Sequence, residues 1–244
     1  MLFRSVLEQV LGALTDGEPP GDRPGWRTRR AELDERACAL RRADSGRRSL
    51  ARDVVVAAGE EFGERATYVH ENGLHDIWSY HYPLLPIGSG TAVVMPGEQT
   101  MLGFGLPAAI GAGIARPEAP TVVFCGDGAM SMNVTALATA AEYGVGLIVV
   151  MFDNAGFGWP RHLRVTAGER ADITRFRLPF PVGGVVESLG GTVAEVTDKK
   201  QAALALGAAA ETWAAGAAAL IRVAVADDDV PPGIARVLSE SHDA

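Results

Sequence analysis

Thr121-Val-Val-Phe-Cys-Gly-Asp-Gly-Ala-Met130 and, after an Ala-rich stretch, Leu147-Ile-Val-Val-Met-Phe-Asp-Asn-Ala-Gly-Phe-Gly158 decide the fold. Each opens with a β-branched, apolar run short enough for a buried strand and ends in a glycine-containing turn. Between them, Met130, Val134, Leu137 and Ala141 share one helical face, so the spacing predicts a helix that packs on the sheet and returns the chain to a parallel strand. An Asp-Gly pair is also a hairpin signal, but a hairpin is followed by a strand, and the residues after Gly128 read as helix.

Outward from this unit the alternation continues. Thr67-Tyr-Val and Leu220-Ile-Arg-Val-Ala-Val read as further strands, and the Ala-rich stretches 106–116, 130–143 and 200–215 read as helices. Strand and helix in alternation predict an α/β fold: a doubly wound parallel sheet with helices on both faces. Residues 2–14 have helix-like apolar spacing, ended by Asp16-Gly-Glu-Pro-Pro-Gly21. Residues 1–52 are therefore read as an N-terminal helix and Arg-rich linker, 53–235 as the compact domain and 236–244 as a tail.

Composition narrows the function classes. The chain has 244 residues, 48% of them hydrophobic, enough to bury a full core, and no apolar run reaches the ~20 residues of a membrane span. The net charge of −8 argues against nucleic acid as a partner. Cys38 and Cys125 match neither a disulfide framework nor a zinc spacing, which suits the cytoplasm, and no export signal is read at Met1. Eleven of the 22 basic residues, all Arg, fall within the first 52 positions; they read as a solvated face or as a docking surface for an acidic partner.

The chemistry concentrates at Asp127 and Asn154, both at carboxyl ends of strands, the rim where open parallel sheets bind ligands. A carboxylate, an amide oxygen and a nearby backbone carbonyl form a hard oxygen site, which suits Mg²⁺ when a ligand's phosphates supply more oxygens. Gly126 and Gly128 let the backbone turn tightly, and the helix that follows offers free N–H groups to a diphosphate. Asn154 alone would be an ordinary turn residue.

Gly126-Asp127-Gly128, then 25 residues, then Asn154, resembles the cofactor motif of thiamine-diphosphate enzymes. Glu71-Asn-Gly-Leu-His-Asp-Ile-Trp78, Gly103-Phe-Gly-Leu-Pro-Ala-Ala-Ile-Gly-Ala112 and Leu137-Ala-Thr-Ala-Ala-Glu-Tyr143 resemble acetolactate synthases and related carboligases, in the same order. The similarity runs from about residue 50 to Pro232, and the Trp26 region resembles that family's inter-domain linker. The resemblance implies that Asp127, the Asn154 side chain and the Gly156 carbonyl bind Mg²⁺. It implies that Gly128 and Ala129 meet the diphosphate through backbone N–H groups, beside Gly126 and Phe157. Gly73, Leu74 and His75 would approach from the opposite loop. Leu102 would prop the cofactor in its bent conformation, and the Thr100 carbonyl would accept a hydrogen bond from the aminopyrimidine. Read alone, Leu102 is equally a core residue and His75 a structural one.

Departures bear on activity. Asp153 replaces the first of the family's paired asparagines and adds a negative charge unless it points away. Ala129 stands where a hydroxylated residue is common, Leu163 where acetolactate synthases carry a discriminating Trp, and Trp159-Pro160 replaces a more open sequence. Arg161 and His162 read either as surface residues of a mobile loop or as partners for a substrate carboxylate.

The resemblance further implies a split enzyme. No catalytic residue is expected in this chain; the glutamate that activates the cofactor would lie on a separately encoded subunit with the pyrimidine-binding domain, in a hetero-oligomer such as α2β2. The implied reaction is decarboxylation of a small 2-keto acid followed by acyloin formation. The alternatives are a simple decarboxylase of the sulfopyruvate or phosphonopyruvate type and a non-catalytic assembly subunit.

Overall fold

Residues 25–43, 49–81, 84–85, 87–227 and 229–231 are described in a computed structural model. The chain divides into two compact units, Met1–Gly46 and Arg47–Ala244. In the first, helix α1 (Trp26–Ala43) presents a polar surface tied by the one-turn pairs Arg29–Glu32 and Arg30–Asp34. The helix expected over residues 2–14 and the tail at 236–244 lie outside the described residues.

The second unit opens with α2 (Leu50–Phe62), where the Ser49 hydroxyl accepts the Arg52 N–H at 3.0 Å and so satisfies a free donor of the first turn. Then come β1 (Thr67–His70), α3 (Asp76–Ser79), β2 (Ala92–Val94), α4 (Gly105–Ala115), β3 (Thr121–Gly126), α5 (Asp127–Asn133), α6 (Ala136–Glu142) and β4 (Leu147–Asp153). Helices α7 (Gly158–Thr166) and α8 (Val182–Ser188), β5 (Thr192–Val196), α9 (Lys199–Ala214) and β6 (Ala218–Ala224) complete it.

The strands form one six-stranded sheet in the order β2-β1-β3-β4-β6-β5, every pair parallel. Alternation sends Val122, Phe124, Ile148, Val150 and Ile221 into a layer with Val54, Val55 and Ala58 of α2 and Leu206 of α9. Val123, Val149 and Leu220, one step out of phase, meet Leu106 and Ile110 of α4, Leu137 of α6 and Val186 of α8. Both faces are covered, which is why the strands read as continuous apolar runs rather than alternating ones.

One expectation changes. The helix read over 130–143 is broken: Leu137 and Ala138 donate three residues back, to Val134 and Thr135, and the axis restarts at Ala136. The Asn133 amide is drawn aside to the Gly103 carbonyl at 2.6 Å. The break shifts the buried face by one residue, so Ala140 is buried and Ala141 exposed. Among the described residues no helix is long and apolar enough to cross a membrane.

Candidate functional site

The sheet order fixes where a site can form. From β1 the chain crosses outward to β2, and from β3 it crosses the other way to β4, so the winding reverses between β1 and β3. Loops leaving the carboxyl ends of such strands splay apart and leave a crevice. A cavity of about 400 Å³ lies there. It is lined by Gly73, Leu74 and His75 after β1, by Thr100 and Leu102 before α4, by Gly126, Asp127, Gly128 and Ala129 after β3, and by Asn154, Gly156 and Phe157 after β4. Every residue singled out for cofactor or metal contact thus borders one space.

Asp127 opens α5 and is buried, with its Oδ2 accepting the Gly156 N–H at 2.8 Å. Burial, reinforced by the neighbouring Asp153 charge, pushes its carboxyl up to about 6. The Asp153 side chain is itself engaged. Its Oδ1 accepts the Ala155 N–H at 2.9 Å, and its Oδ2 accepts from Arg222, 2.6 Å away on β6. The charge that departs from the family pattern is thereby partly offset by a guanidinium.

The Asn154 Oδ1 and His75 Nε2 atoms are buried without a hydrogen-bond partner. Buried polar atoms are paired in the great majority of cases, so two unpaired ones on residues lining one cavity suit a polar ligand there. His75 is stacked on Phe152 with centroids 5.2 Å apart, and burial lowers it to about 4, so its imidazole is neutral.

Glycines shape the cradle. A Cβ on Gly128 would stand 2.8 Å from the Phe157 ring and 3.6 Å from the Gly156 carbonyl oxygen. Gly156 has φ 154, and a Cβ there would meet the Thr174 carbonyl at 2.1 Å. Among the described residues only Thr100 (φ 43) and Ala155 (φ 56) are non-glycines with positive φ, and they lie on the two loops facing the cavity. Strain of this kind collects at ligand sites. The Thr100 carbonyl already accepts one hydrogen bond, from the Asn72 amide at 2.7 Å.

These residues suit a divalent cation and a diphosphate. Among the described residues no three His, Cys, Asp or Glu side chains gather into a metal cage, so a cation beside Asp127 and Asn154 would complete its shell from its ligand. Leu163 is exposed on α7 and does not line the cavity, whereas Trp159 and Pro160 do.

The alternatives read for Arg161 both fail. It sits on α7, not in a mobile loop, and is buried with its donors committed to the Asn154 and Ala155 carbonyls, to Thr174 and to Asp227. It is not free to hold a substrate carboxylate. His162 packs edge-on against Trp159 at 6.0 Å. The sequence also gave no hint of Asp229, which lines the cavity, receives the Trp78 indole N–H and caps α2 through the Ala51 N–H at 3.2 Å. Only a contact 178 positions away could have revealed that role.

Comparison with known proteins fits this geometry. The profile of "Thiamine pyrophosphate enzyme, C-terminal TPP binding domain" matches residues 71–223, more than half of the chain. The acetolactate synthase large subunit of Lactococcus lactis is 33% identical over 45% of this chain and 19% of its own length. The acetolactate synthase of Mycobacterium leprae is 39% identical over 44% of this chain and 17% of its own. The large subunit of Haemophilus influenzae is 30% identical over 64% and 27%. The chain thus matches about a quarter or less of these relatives. A thiamine diphosphate-dependent 4-hydroxybenzoylformate decarboxylase of Rhodococcus jostii shares the fold, with a TM-score of 0.62 and 24% identity over 73% of this chain and 33% of its own.

Proposed function

Because the chain belongs to the thiamine pyrophosphate enzyme family, as its C-terminal TPP binding domain, we propose that it holds the diphosphate of thiamine diphosphate through Mg²⁺ and serves a 2-keto acid carboligase. The observation that carries the proposal is the orphaned Asn154 Oδ1, on the same cavity as Asp127 and Gly156. Asp127, Asn154 and the Gly156 carbonyl would hold the cation. The N–H groups opening α5 and the neutral His75 would meet the diphosphate. The cofactor, when bound, supplies the carbanion-stabilising chemistry that a 2-keto acid needs to lose its carboxyl group.

Among the described residues, the carboxylates lining the cavity do not suit cofactor activation. Asp127 is given to the metal loop and Asp229 to Trp78 and α2. Met101 and Met132 stand exposed near Gly103, where the pyrimidine half of the cofactor would need a second wall. We propose that the activating glutamate comes from a pyrimidine-binding domain outside these residues, carried by a partner subunit in a hetero-oligomer.

Carboligation is preferred to plain decarboxylation because the sequence relatives are acetolactate synthases. The test is to supply the assembled complex with pyruvate and other small 2-keto acids and to identify the products. An acyloin is expected. Free aldehyde alone would make it a decarboxylase, and bound cofactor without turnover would make this chain an assembly subunit.

A further inference from the structure

We propose that Arg161 is a positioning residue for the metal loop, acting through the backbone that presents Asn154 and Gly156; this rests on the cofactor reading above. Its side chain is 3% exposed, and it spreads its donors over consecutive carbonyls: Nη1 to Asn154 at 2.9 Å and Nη2 to Ala155 at 3.2 Å. Nε reaches the Thr174 hydroxyl at 3.3 Å. Asp227, beyond β6, pairs with both Arg161 and Arg175 and orients the fork.

The opposite edge of the loop is fixed by backbone bonds. The Phe157 N–H donates to the Thr174 carbonyl at 3.0 Å, and the Phe176 N–H to the Ala155 carbonyl at 2.9 Å. Between these anchors Ala155 adopts φ 56, which leaves the Gly156 N–H on Asp127. A planar fork can hold two adjacent carbonyls at once; the single ammonium of lysine cannot reproduce it. Arg161 does not line the cavity.

The test uses the full chain as wild type, Arg161→Lys, Arg161→Met and Asp227→Asn. Amide exchange is measured first. Both Arg161 variants are expected to speed exchange at Gly156 and Phe157 by about tenfold while β4 and α9 are unchanged. Mg²⁺ is then titrated at saturating thiamine diphosphate, with the pyrimidine-binding partner present if wild type requires it. The half-saturation concentration is expected to rise about tenfold or more. Unchanged exchange at Gly156 and Phe157 would overturn the proposal. So would a uniform rise across the domain with an unaltered Mg²⁺ requirement, which marks a plain fold-stabilising residue. If Arg161→Met does not fold, Arg161→Lys and Asp227→Asn decide. If wild type binds no cofactor the metal reading fails, and the exchange data still judge whether Arg161 holds the loop.

Discussion

A carboxyl group raised to about 6 by burial and by Asp153 must lose its proton before it can ligate a cation. Above that value Asp127 is a carboxylate and Mg²⁺ affinity should be flat with pH. Below it, protons compete and the affinity should fall about tenfold per pH unit. Mg²⁺ titrations at saturating thiamine diphosphate between about pH 5 and pH 8 check the break. Asp153→Asn removes one cause of the rise, so the break should move to lower pH. At this scale the sequence was legible where chemistry is local: Asp127, Asn154 and the glycines stand at the ends of short β-branched runs that read as strands. It was opaque where a partner is remote. Nothing near Arg161 announces Asp227, and nothing near Asp153 announces Arg222; only folding brings these charges together.

Among the elements, the turn from β3 into α5 borders the cavity, and Gly128 is its tightest point. Gly128→Ala would set a methyl 2.8 Å from the Phe157 ring, at the start of the helix that faces the cavity. We predict roughly tenfold weaker thiamine diphosphate binding with a melting temperature within a few degrees of wild type, measured by titration and thermal unfolding. The cap of α9 offers the converse case. The Asp198 carboxylate accepts the Gln201 N–H at 2.8 Å and does not line the cavity. Asp198→Ala should cost about 1 kcal/mol of stability and leave cofactor binding untouched. The central strands were readable because burial on both faces makes them continuous apolar runs. β2 and β5 were not, since they are three and five residues long and only Val196 among them is buried, which leaves no such run. The break between α5 and α6 was not legible because Asn133 bonds to Gly103, a contact that helical periodicity does not encode.

For the whole molecule, the reversal of winding between β1 and β3 puts loops from separate parts of the chain around one crevice. Stability and site are therefore linked through the sheet beneath. Phe124, fully buried between Tyr68 and Phe152, sits just behind the crevice. Phe124→Ala should cost about 3–5 kcal/mol, visible as a lower denaturant midpoint. The α/β class and the parallel sheet followed from alternation alone, because strands joined through helices have few other ways to close. The order of the strands did not, since periodicity says which face is buried and not which neighbour lies alongside.

Asp127 and Asn154 are proposed to hold a metal-bridged diphosphate on this chain. The most direct test is calorimetric titration of thiamine diphosphate with Mg²⁺ into the full chain, alone and with a pyrimidine-binding partner subunit, beside Asp127→Ala. Binding that requires Mg²⁺, strengthens with the partner and disappears in Asp127→Ala is the predicted result. Absence of Mg²⁺-dependent binding in every mixture, or equal binding by Asp127→Ala, would contradict it.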